Sequence, residues 1–296
     1  MVSRIAFALV SLVLLASSGH AQDRAAGDLD LRRALAAEAN ETGGLRIALD
    51  KWRSVLIAQD PSAACACNVE PKIREKLYKS WQHAVAQGFD VDKIDGDIHA
   101  ALAEQLTAAD LKAVVDFDKT PLGQKIVAAT LGSKSSKDEA QSPDRMAAEM
   151  AKLAAAAKTL AANPRRAAVI AELVEVTDAV KGQIDAMMSV SVGSLKGTAA
   201  AMPPSRPQMP DDQVAELIEN QRRTMQAAFE SMMPSAFESM YAAISTQDLK
   251  IYSAWRKTAA ARNFQRVQDA SFIASLRAVS EKIGGHFARS MEGDDI

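Results

Sequence analysis

The chain has 296 residues, a formal net charge of −2, 48% hydrophobic side chains and only 5% aromatics. Near-neutral charge argues against a dedicated nucleic-acid binder or a polybasic membrane-surface protein, and the length suits one large domain or two ordinary ones. Alanine is abundant, and because it forms helices without losing side-chain entropy, this bias favours helices over sheets.

Met1 to Gln22 places one positive charge, Arg4, before an apolar run from Ile5 to Ala16. Small and polar residues then lead to Gly19-His20-Ala21. That order is a cleaved secretory signal, and a run of about a dozen residues is shorter than the roughly 20 a membrane-spanning helix needs. The mature chain is therefore expected to begin after Ala21, in the periplasm or secreted, without a transmembrane segment.

From Asp28 to Gln59 the residues Leu31, Leu35, Leu45, Leu49, Trp52, Val55 and Leu56 recur near helical spacing. Gly43-Gly44 splits that stretch into two helices, and Asp60-Pro61-Ser62 stops the second. Pro71 suits a first helical turn and opens a stripe of Ile73, Leu77, Trp81 and Val85 that ends at Gly88. Another helix spans Val91 to Gln105. Thr107, with Asp110 three residues on, reads as an N-cap for a helix carrying Leu111, Val114, Val115 and Phe117. Thr120-Pro121 ends that helix, and Pro121 starts the next through Leu122, Ile126, Val127 and Leu131.

Gly132 to Pro143 reads as a linker, followed by a helix from Asp144 to Ala162 that Asn163-Pro164 breaks. Arg165 to about Val190 reads as one helix, and the Gly-, Pro- and Ser-bearing stretch Val192 to Pro210 as a second linker. Asp211-Asp212 starts a helix that Pro234 kinks or restarts. The last helices carry Leu249, Tyr252 and Trp255, then Phe264, Val267, Phe272, Leu276, Val279 and Ile283. No stretch reads as a strand, so the fold class is all-α.

Two segments align without a gap, Leu106 to Thr120 and Ile244 to Thr258. Asp110, Leu111 and Lys112 match Asp248, Leu249 and Lys250; Phe117 matches Trp255; Lys119-Thr120 matches Lys257-Thr258. The offset is 138 throughout. Apolar matches arise readily between amphipathic helices, but the Asp, Lys and Lys-Thr matches do not, which points to an internal duplication. The expected division is a signal peptide at 1–21, a first helical unit at 22–132, a linker with one helix at 133–163, a second unit at 164–275, and a C-terminal helix and tail at 276–296. Each unit is expected to be a small helical bundle.

The first copy runs on as Phe117-Asp118-Lys119-Thr120-Pro121-Leu122-Gly123-Gln124-Lys125. This resembles the hallmark of the domain-of-unknown-function 2059 family of exported bacterial helical proteins. There an acidic-Leu helix leads into an aromatic, a small residue, Pro, Gly and Lys. The second copy has Ala259 and Ala261 in place of Pro121 and Gly123, so its helix is expected to run on without the break. The resemblance implies fold and compartment and brings no catalytic residues.

Cys65 and Cys67 are the only cysteines. In an oxidising compartment they suit a local or intermolecular disulfide, tight across a one-residue gap. A soft-metal pair for copper or zinc and a redox-active pair are the alternatives, although two ligands do not complete a zinc site. His83, His99 and His286 stand alone, and Asp95 can share a helix face with His99. Asp110, Asp248, Lys119 and Lys257 suit helix ends. Methionines concentrate in the second half (Met187, Met188, Met202, Met209, Met225, Met232, Met233, Met240), as core or as the lining of a groove. No catalytic constellation or cofactor motif is visible. The expectation is an exported binding or protein-interaction module whose partner is itself as a homodimer, another exported protein or an apolar ligand. The alternative is a metal- or redox-handling protein built on Cys65 and Cys67.

Overall fold

The computed structural model describes residues 27–61, 70–132, 143–202 and 210–292, and among these it has twelve helices and no strand. In chain order they are α1 (27–42), α2 (Leu45–Ala58), α3 (Pro71–Gly88), α4 (Val91–Gln105), α5 (Ala108–Asp118) and α6 (Pro121–Leu131). There follow α7 (Pro143–Ala162), α8 (Pro164–Val176), α9 (Ala179–Ala201), α10 (Asp211–Met240), α11 (Thr246–Arg256) and α12 (Ala259–Glu292). The fold is all-α, as composition and periodicity predict.

Local chemistry sets most boundaries. Asp90, Thr107, Thr120, Asn163 and Ser245 each accept a hydrogen bond from a backbone N–H three residues on, and Pro stands in the first turn of α3, α6 and α8. These devices satisfy or remove the N–H groups that a helix start leaves unpaired.

Three expectations need correction. The stretch Arg165 to Val190 is two helices, broken at Thr177-Asp178, where Asp178 takes a left-handed conformation (φ 48°) as N-cap of α9. The stretch Val192 to Pro210 begins as helix, because α9 runs to Ala201. Its glycines are packing positions: a Cβ on Gly193 would lie 2.5 Å from the Arg277 carbonyl, and one on Gly197 would overlap that of Glu281. Finally, the second copy does break after Lys257, since Thr258 caps Ala261 N–H at 3.3 Å much as Thr120 caps Gly123. Proline is dispensable there because the cap alone ends one helix and starts the next. Pro234 lies inside α10, which continues past it to Met240.

The apolar faces meet in two cores. The first gathers Leu49, Leu56, Trp81, Val85, Ile94, Ile98, Leu102, Leu111 and Val115 from α2 to α5, together with Phe264, Val267, Leu276, Val279 and Ile283 of α12. The second gathers Val169, Ile170 and Leu173 of α8, Met233 and Phe237 of α10, and Leu249 and Tyr252 of α11, together with Ile126 of α6. Full burial of each such side chain stabilises by about 1.5–3 kcal/mol. Helix α12 lies along α9, where Gly193, Gly197 and Gly284 let the two backbones touch.

A side chain at that contact is expected to be costly. Gly197→Leu should lower stability by about 1–3 kcal/mol through overpacking. Gly182→Ala, where a Cβ meets nothing within 4 Å, should be neutral or stabilising by about 0.5–1 kcal/mol. Thermal melts of the two variants check the contrast.

Candidate functional site

The repeated motif residues sit at two equivalent turns. Thr107 and Ser245 cap α5 and α11 by accepting from the N–H groups of Asp110 and Asp248. Leu111 and Leu249 are fully buried, one in each core. Lys119 and Lys257 follow the last helical residue of α5 and α11, and each pairs with a glutamate on another helix, Glu38 and Glu172. Pro121 opens α6, while Lys125 is exposed. Gly123 is required where it stands, because a Cβ there would overlap the Phe117 carbonyl. Phe117 and Trp255, which occupy matching places in the two segments, stack on each other with centroids 3.9 Å apart and planes 11° apart.

Beside this stack lies a group of half-buried charges. Burial pushes the Asp118 carboxyl up to about 6, while a hydrogen bond from Thr42 and the Arg256 charge act against the shift. Burial likewise raises Asp269, opposed by a hydrogen bond from Gln265 and by Arg256. The Arg256 guanidinium lies 5.7 Å from the centre of the Trp255 ring and donates to Gln265, which in turn donates to the Thr177 carbonyl. A deeper pair ties the second core together. Arg166 Nε donates to Glu238 at 2.6 Å, and its two terminal nitrogens donate to the Ile244 and Tyr241 carbonyls at 2.8 and 2.9 Å. The sequence offered no signal for this pair, which joins residues 72 apart.

A cleft of about 430 Å3 opens between α8, α9 and α10. Val174, Val180 and Ile184 supply its apolar lining, and Glu175, Lys181, Arg222 and Glu230 its charged rim. Asp185 takes hydrogen bonds from Lys181 and Arg222 at 2.6 and 2.8 Å. Partial burial opposes its charge, but these two donors outweigh it and hold the carboxyl below the usual range.

The other candidates are not brought together. Cys65, Cys67 and Met209 lie outside the described residues, as does the targeting segment. Among the described residues no three His, Cys, Asp or Glu side chains are placed to hold a metal ion. Asp95 accepts from Asn40 at 3.2 Å rather than pairing with His99, whose ring meets the Arg33 carbonyl at 2.8 Å. Met188 and Met233 are buried, whereas Met187, Met232 and Met240 are exposed.

The fold and these contacts define an all-helical protein with two cores, each completed by a helix from the other half of the chain. Residues 92–162, about a quarter of the chain, match the model of a family described as an uncharacterized protein conserved in bacteria, domain of unknown function 2059. The match includes the whole first-copy hallmark, from Asp110 to Lys125. No curated protein and no solved structure matches the chain. Among the described residues no helix is long and apolar enough to cross a membrane.

Two buried charges give measurable consequences. The folded pKa of Asp118 lies above the 3.8 of an ordinary aspartate, so its carboxylate opposes folding at neutral pH, and the penalty fades as pH falls from about 6 to about 4. Asp118→Asn is expected to stabilise by about 1–3 kcal/mol at pH 7.5, with the gain shrinking towards pH 4 in urea titrations. Arg166→Met strands Glu238 and should cost about 3–5 kcal/mol, whereas Arg166→Met with Glu238→Leu should recover much of the loss.

Proposed function

We propose that the chain is an exported bacterial binding module, formed by duplication of one helical unit, whose cleft between α8, α9 and α10 takes an amphipathic segment of another exported protein. The targeting segment at 1–21 supports export. Several matched positions support duplication. Gly44 and Asp178, 134 residues apart, are both left-handed N-caps. The ion pairs of Lys119 with Glu38 and of Lys257 with Glu172 recur at the same places, as do the capped turns at Thr120 and Thr258.

The observation that carries the binding role is a difference between the matched halves. At the cleft, Arg222 and Gln226 stand where the first half has Ala84 and Gly88, 138 residues earlier, both buried. In the first half the small residue at Gly88 lies against Ile283 of α12, and Arg46 of α2 pairs with Asp92 of α4 at 2.6 Å. In the second half larger polar side chains stand there, Arg222 bridging α10 to Asp185 of α9 at 2.8 Å, and Val180 in the apolar lining takes the place of Arg46. The apolar lining with a mixed-charge rim suits a helix that buries its apolar face and pairs at its edges.

A photo-reactive residue at Gln226, with Lys250 as the control position, tests this in the exported fraction of the bacterium. A discrete adduct from position 226, absent from 250 and lost on Val180→Lys in a folded protein, is the expected result. A chain retained in the cytoplasm with residues 1–21 intact, or equal labelling from both positions, would count against the reading.

A further inference from the structure

We infer that the two halves of the chain are not separate domains but obligate partners, each burying one face of its last helix in the other's core, so the surface each half presents is a docking site for the other half of this same chain. The inference rests on the core contacts themselves and stands whether or not the cleft binds a partner.

After the capped turn at Thr120, Leu131 of α6 still packs against Gly44 of the first half, but Ile126 is buried in the second core with Leu122 and Ala129 beside it. After the matching turn at Thr258, α12 runs between the halves: it stays against α9 of its own half, where Gly193 and Gly197 meet its backbone, while Phe264 and Val267 are buried in the first core. Ile126 and Phe264 are 138 residues apart, as are Ala129 and Val267, so the matching residues of the two segments are traded. Each core is therefore closed by the helix that follows the other half's motif.

Polar contacts follow the same crossing. Ser275 of α12 donates to Asp97 of α4 at 3.0 Å, Asn263 to Asp110 at 3.5 Å, and the Thr130 and Tyr241 hydroxyls lie 3.4 Å apart. The Phe117–Trp255 stack sits where the two crossings meet. Without α12 the first half would expose the faces of Leu102, Leu111 and Val115, and without α6 the second would expose Ile170 and Leu249. Each last helix thus bridges the two halves, with one face on its own half and the other in the opposite core.

The test uses the whole folded protein with a protease site introduced between Ser135 and Ser136. After cleavage the two fragments should elute together as one particle of unchanged size. Melting should become concentration-dependent, with Tm rising several degrees for each tenfold increase in protein. Amide exchange adds a second readout. Phe264→Ala should raise exchange in α4 and α5 at least tenfold more than in α8, and Ile126→Ala should do the reverse. Fragments that separate at micromolar concentration, whether folded or precipitated, would overturn the inference. So would exchange that rises only in the half carrying the substitution.

Discussion

Phe117 stacked on Trp255 marks the place on which the architecture turns. Both side chains end a helix that a threonine cap terminates three residues later, and both caps redirect the chain across the molecule. The constraint behind this is burial. The amphipathic helices of each half leave one face of their core open, and an 11-residue helix such as α6 is marginal alone in water. The crossing solves both problems at once, because each last helix finds its apolar partner on the far side of the stack.

The rest of the second core depends on this placement. Arg166 reaches the Ile244 and Tyr241 carbonyls because α8 lies against the turn between α10 and α11. Both carbonyls lie in the turn that joins α10 to α11, where Tyr241 also accepts from the Ile244 N–H, so the guanidinium fastens that turn to α8. In the first half, Arg32 reaches the Glu104 carbonyl at 3.4 Å from the matching place on α1, a looser version that leaves Arg32 more exposed than Arg166. The cleft belongs to the same logic of near-repetition, since it opens where close packing at Ala84 and Gly88 gives way to Arg222 and Gln226.

How much of this was legible in the sequence follows from the range over which each residue acts. Pro71, Thr107, Pro121, Asn163 and Asp211 act on their own turn, and the helix starts they mark were read correctly, although the helix after Asn163 was read on past its end at Val176. Asp178 carries no breaker signature, and Gly193 and Gly197 look like one although they pack within α9. Their roles are set by α12, some ninety residues on, so no local reading could assign them. The motif residues were found from their repetition, but the spacing could not say that they build a crossing. The cleft and the Arg166–Glu238 pair were invisible, because both depend on distances between helices far apart in sequence.

The unlike charges at Asp118 and Arg256 give the arrangement a direction. Identical units meeting about a two-fold axis set each axial residue against its own copy, and Asp118 facing Asp118 would repel. Here the matched positions carry opposite signs, and the positive charge of Arg256 acts on the buried carboxylate. The contact is thus polarised, with the acid on one side and the base on the other, and it favours one half meeting the other over either half meeting its own copy.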